Sequence, residues 1–141
     1  MSAVHALQTA LAGEHAAVYV DGVVGGRVSV SAHPRLASKV AAAYTTHRSR
    51  RDQLEAMLRA AHATPVAADV SYRLPNPCLT AAQCAAAALE VEQRCAAVYA
   101  DLVAHTSQAH RQWAIDALGD AAVRQLGFGG DASAFPGVAE V

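Results

Sequence analysis

Lysine, isoleucine and asparagine each occur once in these 141 residues, as Lys39, Ile115 and Asn76. Aromatic residues make up only 5% of the chain, and that scarcity argues against a sheet, whose pleated faces favour aromatic and β-branched side chains. Charge of either sign is in short supply. The 11 basic and 12 acidic residues give a net −1, which leaves no electrostatic footprint for DNA, RNA or anionic lipid. No apolar run approaches the ~20 residues that span a bilayer. The opening stretch, MSAVHALQTALAGEH, has no basic run and leads straight into a helical pattern, so it does not read as a signal peptide. There are three cysteines, Cys78, Cys84 and Cys95, with no Cys-x-x-Cys spacing. That argues against a zinc knuckle or a disulfide framework and suits a reducing cytoplasm. The residue bias is that of a GC-rich bacterial genome.

What the chain has in abundance is alanine, which supplies much of its 53% hydrophobic content. Alanine favours helix and lets helices approach closely, although each one buries little area. The length suits one domain around one core. Two stretches eighty positions apart nearly coincide: Ala16-Ala17-Val18-Tyr19-Val20-Asp21 and Ala96-Ala97-Val98-Tyr99-Ala100-Asp101. A glutamate lies shortly before each, Glu14 and Glu92. The repeat reads as a helix hairpin used twice, which makes a four-helix bundle with Tyr19 and Tyr99 equivalent.

Periodicity places the helices over about residues 3–30, 34–62, 81–105 and 108–126 of a single domain, with the tail 127–141 docked on it. The inward seams are Leu7, Leu11, Glu14, Val18 and Asp21; then Val40, Tyr44, His47, Arg51 and Leu54; then Ala88, Glu92, Cys95, Tyr99 and Leu102. On the last helix the expected seam is Ile115, Leu118, Ala122 and Leu126, beside a stripe of Trp113, Asp116 and Asp120. Residues 64–79 have no period and hold Pro65, Pro75 and Pro77. Sixteen extended residues reach ~50 Å, and a thirty-residue helix is ~45 Å long. The connection can therefore travel the whole bundle, which is the one-crossover, ferritin-like topology.

Every helix carries an ionisable group on or beside its seam. Carboxylates and imidazole converging from four helices suit a di-iron or di-manganese centre, with Glu14, His47, Glu92, Asp116 and Asp120 as the candidate ligands. Such centres use Glu-x-x-His on two helices, because that spacing puts both ligands on one face. No Glu-x-x-His occurs here: Tyr44 stands three before His47, and Glu92-x-x-Cys95 is the nearest approach. Arg51 adds a fixed positive charge that opposes a dication. The favoured expectation is thus a buried polar network of Glu14, His47, Arg51, Glu92, Tyr19 and Tyr99, with no cofactor. The basic run around Arg50, Arg51 and Asp52 offers an alternative use, holding an acidic small molecule in a cleft between helices. Cys95 reads as a small core residue.

The segments Glu14-His15-Ala16-Ala17-Val18-Tyr19, Gly22-Val23-Val24-Gly25-Gly26-Arg27, His47-Arg48-Ser49-Arg50-Arg51-Asp52 and Phe135-Pro136-Gly137 resemble the bacterial ferritin-like family called domain of unknown function 4439. The resemblance runs over essentially the whole chain. It implies a ferritin-like bundle and brings no established activity. The expectation is therefore a non-catalytic structural or interaction module, homodimeric and cytoplasmic, with no nucleic-acid or membrane partner; the alternative is an iron- or manganese-binding ferritin-like oxidase or storage relative with a degenerate site.

Overall fold

A computed structural model describes residues 1–139, and it is all-α. Helix α1 spans Ala3–Arg27, α2 Pro34–Ala60, α3 Ala81–His105 and α4 Gln108–Gly127. Among the described residues there is no strand, and no helix is long and apolar enough to cross a membrane. The starts follow local chemistry. Ser2 and Thr80 accept hydrogen bonds from the backbone N–H groups of His5 and Gln83, capping α1 and α3. Pro34 opens α2, where its missing N–H is not needed.

The core records the direction of each helix. At one end Leu7 of α1 meets Leu58 of α2, Leu102 of α3 and Ala114 of α4. At the other, Val24 and Val40 share a cluster with Cys84, Ala121 and Phe128. Hence α1 and α4 run one way, α2 and α3 the other. The chain between α2 and α3 must return along the bundle, and its contacts trace that path up α1. Gln8 of α1 binds the backbone of Thr64 and Val66 (2.7 and 2.8 Å), and the His15 ring lies 3.0 Å from the Val66 carbonyl oxygen. The Tyr72 ring then packs on Tyr19 at 5.6 Å, and Arg27 donates to the Pro77 carbonyl. The crossover expected from its length and prolines is present.

Three details differ from the expectation. First, the two halves match in a register two residues off the literal repeat. Glu14 corresponds to Glu92, Ala17 to Cys95, Asp21 to Tyr99 and Val24 to Leu102, and all eight are buried. Tyr19 is therefore not the counterpart of Tyr99. It lies half-buried under the crossover, while Tyr99 is fully buried. A shift of two turns a helix by ~200°, so a sequence identity can sit on opposite faces. Second, α4 is rotated. It buries Ala114, Ala117 and Ala121, and leaves Ile115, Val123 and Leu126 exposed. Small residues let α4 lie close to α3 on that face. Third, α1 ends at Arg27, short of residue 30.

In the tail, Phe128 is buried, whereas Phe135 and Val138 are exposed. Gly137 sits on α3 in a left-handed conformation (φ 76°), so close that a Cβ there would lie 2.2 Å from the Ala96 carbonyl oxygen. Only glycine fits such an approach. The last two residues of the tail, 140 and 141, lie outside the described residues.

Candidate functional site: a buried imidazole between carboxylates

Halfway along the bundle, α1, α2 and α3 each put an ionisable side chain into the core. Glu14, His47 and Glu92 are all fully buried. The His47 ring lies between the two glutamates. Its Nδ1 is 2.7 Å from Glu14 Oε2 and its Nε2 is 3.2 Å from Glu92 Oε1. Both acceptors are carboxylates, so both ring nitrogens are called on to donate, and only the imidazolium can do that. Burial alone would pull the pKa of His47 down. The hydrogen bonds and charges of Glu14 and Glu92 outweigh it and push the pKa up to about 10.

Around this centre lies a further layer of polar groups. The Tyr99 hydroxyl donates to the other oxygen of Glu14. Arg50 donates to the Tyr99 hydroxyl (3.3 Å) and pairs with Asp120 of α4. Its guanidinium also lies 5.2 Å from the Tyr99 ring centroid. Arg124 binds Asp120 at 2.8 Å and Thr46 at 2.7 Å, and its Nε comes within 3.7 Å of Glu92 Oε1. A charged path thus runs from half-exposed Asp120 to the core. Although burial opposes it, Arg124 and Arg50 hold the Asp120 carboxyl below its ordinary range.

Asp21 stands apart. It is 1% exposed, and neither of its oxygens finds a hydrogen-bond partner among the described residues. Its nearest positive group is His47 Nε2, at 3.8 Å. Burial raises its pKa to about 7, with His47 and Arg124 pulling back and Glu92 and Glu14 adding to the rise. Glu92 Oε2 is likewise buried without a partner. Cys95 completes the cluster. One donor atom each from Glu14, His47 and Cys95 lies within 4.8 Å of the others.

Of the residues expected from sequence, Glu14, His47, Glu92 and Tyr99 come together. Arg51 does not: it points outward and pairs with its neighbour Asp52 at 2.7 Å. The inward arginine is Arg50, three residues after His47 and so on the same face. Tyr19 lies outside the network, and Asp116 is exposed and binds Gln112. Asp21 and Arg124 belong to the site but were not among its expected residues. Asp21 is legible as a seam position two turns after Glu14; Arg124 carries no signal in the sequence, because the periodicity of α4 points to a different inward face.

These donors do not fit a di-metal centre. Helix α4 turns alanines to the core, and its Asp120 is held by two arginines, so a second ion would find no ligands on that side. Between α2 and α4 the surface opens beside Arg50. The opening is a trough of about 400 Å³ lined by Thr45, Ser49, Gln53, Trp113 and Asp116. Its Arg50 is already neutralised by Asp120.

Fold and site together define an all-α four-helix bundle with a long crossover and an ionic centre in its core. The chain belongs to the family described as Domain of unknown function (DUF4439), whose model matches residues 6–140. Among solved structures it is similar to a conserved hypothetical protein, rv2844, from Mycobacterium tuberculosis. The two share 34% identity over 89% of this chain and 94% of that one, with a TM-score of 0.81. No curated protein matches.

Proposed function

We propose that this chain is a ferritin-like module in which an imidazolium held by two carboxylates takes the place of a di-metal centre, and that its role is structural or interactive rather than catalytic. The observation that carries this reading is the use of both His47 nitrogens by Glu14 and Glu92. The positive charge that a bundle of buried carboxylates requires comes here from His47, Arg50 and Arg124. With no paired site, oxygen has no di-metal cluster on which to react.

The module works in the bacterial cytoplasm as a homodimer. The three reduced cysteines suit that compartment, and exposed Ile115, Val123 and Leu126 on α4 supply an apolar face for a partner copy. Elemental analysis after expression with added iron and manganese, together with a ferrous-iron oxidation assay, tests the reading. It expects no two-metal stoichiometry and no oxidation above the protein-free rate. Two irons or manganeses per chain would overturn it.

A further inference from the structure

The same core holds a donor that no carboxylate di-metal centre uses. Cys95 lies on α3, one turn after Glu92, and its sulfur faces Glu14 and His47. The three come from three different helices, so the bundle itself sets their spacing. Two more observations point to a cation. Asp21 and the second oxygen of Glu92 are buried acceptors without partners among the described residues, so the pocket holds more acceptor capacity than its own donors fill. And Cys95, itself only 2% exposed, borders a cavity. That cavity, of about 90 Å³ between α1 and α3, is lined by Gly13, Ala16, Ala17 and Val98 with Arg94 and Pro75.

The geometry points to Glu14, His47 and Cys95 as a binding site for one thiophilic divalent cation of the zinc class, beside the cavity between α1 and α3. Ligands on a tetrahedral ion with bonds of about 2.0–2.3 Å stand about 3.5 Å apart. The three donor atoms already lie within 4.8 Å of one another, so shifts of about 1 Å suffice. Water completes the fourth position of such an ion, since the close set is Glu14, His47 and Cys95 alone. A thiolate, an imidazole and a carboxylate favour zinc over iron, manganese or magnesium.

The exchange balances. The ion enters with two positive charges, and two protons leave, one from the His47 imidazolium and one from the Cys95 thiol. The buried charge is therefore unchanged. No electron moves, and no oxidant is needed. This goes beyond the module reading and does not depend on it, since one closed-shell ion supplies no oxygen chemistry.

Cobalt(II) titrated into the reduced, chelator-treated full chain is the probe. The expected result is one ion per chain, a sulfur-to-cobalt charge-transfer band, visible bands of a tetrahedral ion, and displacement of all of these by zinc. Cys95→Ser should lose the charge-transfer band and bind at least about tenfold more weakly. Glu14→Gln should keep the band with reduced affinity. A chain with Cys78→Ser and Cys84→Ser, in which Cys95 is the only thiol, should keep the band at full strength. Absence of the band in the folded wild-type chain or in that double variant would overturn the proposal, as would its survival in Cys95→Ser. Two oxidisable irons per chain would instead overturn the module reading.

Discussion

At the scale of the residue, two adjacent arginines make opposite predictions. Arg50 is buried against Tyr99 and Asp120, while Arg51 holds an exposed aspartate. Arg50→Ala removes charge-assisted bonds from a nearly dry site and should cost about 2 kcal/mol. Arg51→Ala removes a surface pair worth less than ~1 kcal/mol. Denaturant melts of the two variants check the order, and equal losses would contradict the placement of Arg50. Asp21 and His47 together fix a pH dependence. Asp21 has a folded pKa raised from 3.8 to about 7, so its favourable share is complete below 3.8 and is lost as pH climbs to about 7. His47 is raised from 6.5 to about 10, so its share is complete below 6.5 and is lost as pH climbs to about 10. Both slopes have the same sign, and the bundle should melt at progressively lower temperature from mildly acid to alkaline pH. Asp21→Asn removes the first slope. Its melting temperature should gain on wild type between about pH 4 and pH 7 and hold that gain above. A wild-type melting temperature that rises over that range would contradict the assignment.

At the scale of the element, the crossover and the tail are held by few contacts. Tyr72→Ala removes the ring that packs on Tyr19 and should cost about 1 kcal/mol, with faster amide exchange confined to residues 64–79. Gly137→Ala cannot be accommodated without moving the tail off α3, so exchange should rise in the tail and at Ala96. Uniform protection in either variant would show that these contacts do not hold their segments. The same elements show what the sequence makes legible. Four helices and a crossover follow from alanine content, caps and prolines, because those features act locally. The face of α4 does not follow. Its large apolar residues point outward and its alanines inward, since close packing on α3 outweighs side-chain hydrophobicity there. Arg50 and Arg51 cannot be separated by charge or spacing alone: a turn of 100° per residue decides which is inside, and neighbouring helices fix that angle. The near-identity at Tyr19 and Tyr99 misleads for the same reason, since matching letters lie two residues out of the register that packing imposes.

At the scale of the whole molecule, the bundle is organised about the buried imidazolium of His47. Three helices converge on it, and the fourth supplies Asp120 and Arg124, which link it to the surface. Removing that charge with His47→Phe would strand Glu14 and Glu92, and breaking a buried pair in this way costs ~3–5 kcal/mol. The loss should be far larger than for any exposed residue of α2, as thermal melts would register. The exposed apolar residues of α4 carry the matching expectation for assembly. Leu126→Glu with Val123→Glu should leave the melt nearly unchanged and turn a dimer into a monomer by sedimentation; a monomeric wild type would contradict the dimer. The most direct test is the protonation of His47 itself, read from the nitrogen-15 shifts of its ring in the chelator-treated, metal-free full chain at about pH 8. Nδ1 and Nε2 should both carry protons, with no exchange toward a neutral tautomer until about pH 10. A neutral ring with one bare nitrogen at about pH 8 would contradict a buried imidazolium.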